Sequence, residues 1–567
     1  MISRVSRALS GQRGGGAFGL YFLIAFAFLA PRVLAHPERD VIGGLFTDPQ
    51  IFIWSFAWWP HAIAHGINPI VTHAIWEPEG FNLAWATSVP GLALVFAPVT
   101  YIFGPVFAYN LASVLMPALS AWTAFLLCRR LTGSVWPSLA GGYLFGFSTY
   151  VLSAELTHIF SAAVFLVPVA ALFVARFVQD DLTGRGLAIR LALVLAAQML
   201  LSTEVLFTLS LALLAGWVLA LLLIPRARQR LVALILPAIA AYAIAAVVTA
   251  PIVYYVFEGG RPPSGAEAFV ADALNLVVPT MASLGGWWSK HLELHWAAND
   301  AERGTYLGVP LLVIVVLFAA QRIRTGTGRF LLAAFVLAVL CSFGSALYIN
   351  GHDVTQLPWV HLASRPLFRN LMPVRMMLFA SLAAAVMTAL WAARARPLWL
   401  AAGLPALAAI ALLPNLSWGA WARTPQVPAL FASKLYERCI GRDEKVLALP
   451  FGTRGDTMLW QARSGFWFRL AGGYISPYPP PGYTLTQGMF RVATEEIPPD
   501  VTTSAVLELV RLKHVTTIAL DAREKSLWGR VLRPFARPQR VGGVLLYRLR
   551  DAPPLATRCA RAARAAA

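Results

Sequence analysis

From Leu191 to Pro225 the chain reads LALVLAAQMLLSTEVLFTLSLALLAGWVLALLLIP, and Glu204 is its only charged residue. A single helix over 187–224 would be about 57 Å long at 1.5 Å per residue, nearly twice the roughly 30 Å of bilayer hydrocarbon. The reading is therefore a tight hairpin of two spans, 187–202 and 204–224, with Glu204 at the tip. Working outward, apolar segments of crossing length recur at 17–35, 105–128, 132–151, 159–177, 231–256, 305–321, 327–348, 373–391 and 396–414, which makes eleven. Composition agrees: 58% of the 567 residues are hydrophobic and 13% charged, whereas soluble domains carry about 25% charge. A soluble globular chain and a disordered one are both excluded. The expected class is a polytopic α-helical membrane protein.

Charge sets the direction. With the amino terminus inside, the inner face receives Arg4, Arg7, Arg13, Arg129, Arg130, the loop from Arg176 to Arg190, Arg226, Arg228, Arg230, Arg322, Arg324, Arg329, Arg394 and Arg396. Those stretches hold sixteen Arg against Asp180 and Asp181, as the positive-inside rule requires. The net charge of +19 therefore reads as membrane orientation rather than nucleic-acid binding. The opening Arg-rich stretch and the apolar run Ala17 to Ala30 resemble a signal peptide, but with so many spans following they are read as a retained first helix. Of the four cysteines, Cys128 and Cys341 sit in or beside apolar segments, and Cys439 and Cys559 lie in the polar tail, where they are free to pair.

On this topology the loops 36–104, 257–304 and 349–372 and the tail after 414 face outward. Residues 90–104 are too short for a span, and counting them as one would invert every later loop; a re-entrant or interface-lying segment is expected. The membrane domain is expected at 1–414. The tail, 415–567, is expected to be an extracytoplasmic mixed α/β domain, with strands at Lys445 to Pro450, His514 to Leu520 and Val541 to Leu549 after a turn at Arg540. A Gly-, Pro- and Tyr-rich segment, Gly472 to Tyr483, separates the first two. Nothing in the tail reads as catalytic by itself.

Polar residues in apolar surroundings mark the candidate site. The large first outer loop carries Asp40 and then Thr47-Asp48-Pro49-Gln50, running into an aromatic helix through Trp54, Phe56, Trp58, Trp59 and His61. Asp48 is either a helix cap with Pro49 in the first turn or a carboxylate fixed at the membrane surface as a general base. The Trp stripe reads as an interface anchor, a sugar-stacking face or the wall of a lipid groove. Glu204 is expensive in hydrocarbon unless paired or hydrated, and such residues are functional by default. Glu155 and His158 lie near the tip of the preceding outward turn. The loop 257–304 adds Asp272, His291, Glu293, His295, Asp300 and Glu302; the last also suits a first-turn charge. His291-Leu292-Glu293-Leu294-His295 alternates like a metal site in a strand, but no further ligand is identifiable. Arg365 and Arg369 precede Arg375, which opens an outward helix end against the charge trend. Its guanidinium calls for an anion, either a carboxylate such as Glu204 or a phosphate.

The Asp-Pro motif of the first loop, the segment Pro90 to Gly104-Pro105 followed by Tyr109-Asn110, the Tyr306-Leu307-Gly308 helix start and the outer tail domain together carry a resemblance. The chain resembles the C-type-fold (GT-C) integral-membrane glycosyltransferases, and more narrowly bacterial proteins of the protein-mannosyltransferase and aminoarabinose-transferase superfamily. That resemblance implies a polyprenyl-phosphate sugar donor, work at the outer membrane face and a catalytic carboxylate in the first outer loop. Asp48 matches that carboxylate best, with Asp40 in reserve. The expected reaction is inverting transfer to a lipid, glycan or protein acceptor of the cell envelope, in the bacterial cytoplasmic (inner) membrane. Arg375, Arg365 and Arg369 would hold the donor phosphate, and Glu204, His158, Glu155, Glu302 and Trp54 would orient the acceptor or the site. No cofactor is implied, and a divalent ion stays open as an alternative. The competing reading is a flippase or transporter of a lipid-linked saccharide, with Glu204 coupling protons.

Overall fold

The computed structural model describes residues 2–258, 268–365, 368–475, 479–480, 482–483, 499–535, 537–549 and 559. Parts of two expected features, at 259–267 in the loop 257–304 and at 476–478 and 481 in the Gly- and Tyr-rich segment, lie outside them.

The expected eleven spans are not reproduced. Among the described residues five helices are long and apolar enough to cross a membrane, Pro105–Thr132, Ile159–Val178, Gly184–Leu201, Thr203–Leu223 and Pro373–Ala392, or six if the bent pair Pro225–Ala233 and Ile235–Val248 is one span. Four shorter apolar helices, Gly14–Leu29, Val309–Arg322, Gly326–Ser342 and Leu398–Ala411, occupy other predicted spans. The discrepancy has a local cause, because hydropathy does not register a helix break inside an apolar run. The predicted span 132–151 splits into Val135–Gly146 and Thr149–Glu155, where the Ser148 side chain accepts from Val151 N and caps a new helix. At the expected hairpin, Ser202 accepts from Val205 N, ending Gly184–Leu201 and starting Thr203–Leu223, both of crossing length. Residues 90–104 form two short helices, Pro90–Val95 and Ala97–Phe103, too short to cross.

The tail is built on a five-stranded mixed sheet, in the order Gln539–Val541, Val544–Arg548, Thr517–Asp521, Lys445–Leu449, Arg469–Leu470. Lys445–Leu449 runs parallel to both of its neighbours, and Val544–Arg548 pairs antiparallel with Thr517–Asp521. The turn expected at Arg540 falls instead at Gly542 and Gly543, whose φ values of 51° and 81° suit a two-residue hairpin loop. Cys439 and Cys559 form a disulfide.

The tail does not stand apart from the first outer loop. Val41–Ile42 pairs with Ala422–Arg423, and residues 74–77 run along the sheet edge: Leu470 N donates to Ala74 O, Glu77 N to Leu470 O and Trp76 N to Gly472 O. The aromatic helix Pro49–Ala64 packs on Thr457–Arg463, so its buried side chains and those of the sheet form one apolar core. Trp54 belongs to that core. It is fully buried, stacks on Trp58 at 5.4 Å between ring centres, and donates from Nε1 to Gln461 Oε1 at 2.8 Å. The expected sugar-stacking or lipid-facing role for Trp54 is thus replaced by a seam between loop and tail, because its faces are already covered by protein.

Replacing Trp54 with Phe keeps a ring but strands the Gln461 carbonyl oxygen in the core, a loss of about 1–3 kcal/mol. We expect the unfolding midpoint of the purified protein to drop by several degrees; an unchanged midpoint would show that the seam is not held there.

Candidate functional site

Six separate segments deliver the site, carrying Asp48, His158, Glu204, Glu302, Arg375 and Tyr474. Asp48 begins Pro49–Ala64, yet its side chain makes no capping hydrogen bond. Instead Oδ1 accepts from the Tyr474 hydroxyl at 2.7 Å and Oδ2 lies 3.1 Å from His158 Nε2. His158 follows the short capped helix Thr149–Glu155, and Thr149 Oγ1 donates to Tyr306 O at 2.6 Å, tying that turn to the loop that carries Glu302. The other imidazole nitrogen, Nδ1, is 3.0 Å from Glu302 Oε1 but off the hydrogen-bond line, so this contact is an ion pair by distance. Glu302 is not a helix first-turn charge: its carboxylate grips Arg375 with both oxygens, Oε1 to Nη2 at 2.7 Å and Oε2 to Nε at 3.3 Å. Arg375 Nη1 donates to Glu204 Oε2, and the guanidinium lies over the Phe160 ring at 5.1 Å.

The result is a chain of alternating charge, Asp48, His158, Glu302, Arg375 and Glu204, running through the protein. Arg375 is 2% exposed, and a guanidinium so placed needs its anions. His158 is pulled down by burial, but the carboxylates of Asp48 and Glu302 outweigh that and raise it to about 9. Burial would lift Glu302, yet Arg375 and His158 hold it well below the usual carboxylate range. Burial, and then the neighbouring Asp48, push the Tyr474 hydroxyl upward, so it stays a donor.

The structure brings Asp48, His158, Glu302, Arg375 and Glu204 together and leaves other candidates elsewhere. Asp40 accepts from Thr424 Oγ1 at 2.6 Å, at the seam with the tail. Glu155 is 1% exposed, its two oxygens without a hydrogen-bond partner, and burial keeps it well above the ordinary carboxylate range. Arg365 is exposed; Arg369 is half-buried, and its Nε has no partner. Trp54 lies in the core already described. Glu293 accepts from Met281 N and lies in a short helix rather than a strand, and among the described residues no group of three or more His, Cys, Asp and Glu is arranged to hold a metal ion. Tyr474 was not foreseen. Its only sequence signal is a place in the Gly- and Tyr-rich tail segment, far from Asp48 along the chain.

A cleft opens at the other end of the charge chain, beside Glu204. About 470 Å³ including the solvent at its mouth, it is walled by Trp59, Leu83, Val89, Phe160, Leu201 and Ile252, with Ser88, Ser202, Thr203 and Glu204 as polar groups. A smaller hollow of about 250 Å³ lies against Glu302, Tyr150 and Ser161.

Comparison with known proteins agrees with this architecture. A family model described as a domain of unknown function, DUF6311, matches residues 18–413. None of the curated proteins matches the sequence. The structure is similar to the oligosaccharyltransferase of Archaeoglobus fulgidus in its apo form, at 11% identity and a TM-score of 0.52, covering 95% of this chain and 75% of that one. It is similar to the arabinofuranosyltransferase AftD from Mycobacteria at 12% identity and a TM-score of 0.56, covering 96% of this chain and 40% of that one. The archaeal oligosaccharyltransferase AglB from Archaeoglobus fulgidus, in complex with an inhibitory peptide and a dolichol-phosphate, matches at 12% identity and a TM-score of 0.50, covering 96% and 75%. At these identities the likeness is one of fold, and the fold is that of the C-type membrane glycosyltransferases.

Two outcomes follow from the charges. Because the folded His158 value, about 9, lies above the roughly 6.5 of an unfolded histidine, its stabilisation is full below about pH 6.5 and is lost as pH rises through about 9. Thermal midpoints should fall across that window in the wild type and less in His158→Gln. Arg375→Met strands the buried Glu302 carboxylate and leaves the half-buried Glu204 unpaired, and should cost about 3–5 kcal/mol, read as a lower midpoint that the double change with Glu302→Gln partly restores.

Proposed function

The chain belongs to the DUF6311 family, and from its fold and the geometry of its site we propose that it is a glycosyltransferase that moves a sugar from a polyprenyl-phosphate donor to a cell-envelope acceptor at the outer face of the bacterial cytoplasmic membrane. The observation that carries this reading is the Asp48 carboxylate. It stands at a rigid helix start, is not used as a cap, and is aimed by Tyr474 and His158. The two fixed contacts use two of a carboxylate's roughly four acceptor sites, leaving capacity to take a proton.

In the proposed reaction Asp48 removes the proton from an acceptor hydroxyl as that oxygen attacks the anomeric carbon. The new glycosidic bond forms as the bond from that carbon to the phosphate oxygen breaks, inverting the centre, and polyprenyl phosphate leaves without a general acid. Arg375 already faces Glu302 and Glu204, which favours Arg365 and Arg369 for the donor phosphate and gives Arg375 the work of holding Glu302 and, through it, His158. The apolar cleft beside Glu204 suits a lipid-linked substrate. One structure of similar fold is in complex with a dolichol-phosphate, which supports a polyprenyl-phosphate donor, and the disulfide in the tail, which belongs to an oxidising compartment, supports work at the outer face.

Purified protein incubated with a panel of polyprenyl-phosphate sugars should transfer or hydrolyse at least one. Asp48→Asn should lower that turnover by about 10²–10⁴-fold while leaving the unfolding midpoint within a few degrees. A well-folded, fully active Asp48→Asn protein removes Asp48 from the base role. Movement of a lipid-linked saccharide across proteoliposomes without a new glycosidic bond favours the flippase reading instead.

A further inference from the structure

We infer that Tyr474 is a positioning residue for Asp48, so that the first-loop carboxylate is correctly aimed only while the tail is docked against that loop. The catalytic meaning of this step rests on the function proposed above; the physical claim, that the Tyr474 hydroxyl orients Asp48, does not.

Three observations carry it. The Tyr474 hydroxyl donates to Asp48 Oδ1 at 2.7 Å, while His158 holds the other oxygen at 3.1 Å; removing Tyr474 leaves the carboxylate held from one side only. No helix cap takes over, because the Asp48 side chain makes none. Second, the path that delivers Tyr474 is built for close passage. A Cβ on Gly472 would lie 2.3 Å from the Phe451 ring, and one on Gly473 would lie 3.2 Å from Ile75 Cβ and 3.2 Å from Trp76 Nε1. A side chain at 472 would have to displace the buried Phe451 ring, and one at 473 would press Ile75 and Trp76 aside by a few tenths of an ångström, so the backbone threads closely between the sheet and the first loop at this point. Third, the same loop that supplies Asp48 grips this path: Trp76 N donates to Gly472 O and Glu77 N to Leu470 O, both at 3.0 Å. Loop and tail are thus zipped together two residues before Tyr474 reaches the carboxylate.

A buried tyrosine hydroxyl usually finds some partner, so the test must separate aiming from mere burial. In full-length purified protein, Asp48 is modified with a water-soluble carbodiimide and glycine ethyl ester and quantified by mass spectrometry, with Asp456, held by Arg423, as internal control. Tyr474→Phe should raise Asp48 modification about threefold or more, as expected when one hydrogen bond to a charged group is lost, with Asp456 modification unchanged and the protein still folded, its unfolding midpoint lowered by no more than several degrees. Gly473→Ala, which keeps the tyrosine but crowds Ile75 and Trp76 on the path that delivers it, should move Asp48 modification in the same direction. With a donor found active in the panel above, Tyr474→Phe should lower kcat about 10- to 100-fold and leave KM within about twofold. Unchanged Asp48 modification in a folded Tyr474→Phe protein overturns the inference, whatever the activity. Increased modification in a protein that turns over no donor even as wild type upholds the positioning role and counts against the transferase reading.

Discussion

A guanidinium buried among apolar helices cannot stand alone, and the placement of Arg375 between Glu302 and Glu204 organises the rest of the site. Each of the three residues comes from a different segment, so satisfying one buried charge pins the start of Thr203–Leu223, the loop before Val309–Arg322 and the entry to Met377–Ala392 to one another. Glu302 then offers its oxygen to His158, and His158 reaches Asp48. With His158 protonated the five groups carry three negative and two positive charges. The uncompensated charge sits in a chain whose ends are Asp48 and Glu204. Glu204 is the most exposed of the five, with 23% of its side chain open to solvent; Asp48 and His158 are each 16% exposed, and Glu302 and Arg375 are buried.

The second constraint is the shared core of the first outer loop and the tail. Gln50 Nε2 donates to Gly455 O, Trp54 to Gln461, and residues 74–77 extend the sheet beside Arg469–Leu470. Burial of this large aromatic surface is what lets a tail residue approach a loop carboxylate with fixed geometry. The loop is thereby a structural part of the tail as much as of the membrane region.

Much of this was legible in the residues themselves. Glu204 and Arg375 stand out because a charge in an apolar run demands an explanation, and the positive-inside pattern put both on one side with Asp48. His158 and Glu302 were legible as polar residues of neighbouring outward turns. The break near Ser202 was legible from length, but the span count was not, since Ser148 breaks the run 132–151 through a side-chain cap that leaves mean hydropathy untouched and several other apolar runs form helices too short to cross. The Trp stripe was misleading for a related reason: helical spacing of aromatics marks a buried face but not what covers it. Asp40 and Asp48 look equivalent in the loop, and only their partners, Thr424 for one and Tyr474 with His158 for the other, tell them apart.

The sequence by itself determined the membrane class and which charges were out of place, because those follow from transfer energies that act residue by residue. The tertiary structure decided which anion each cation meets and that Tyr474 joins Asp48 across the loop and the tail. Pairing of that kind depends on distances between segments hundreds of residues apart, which only the packed core sets.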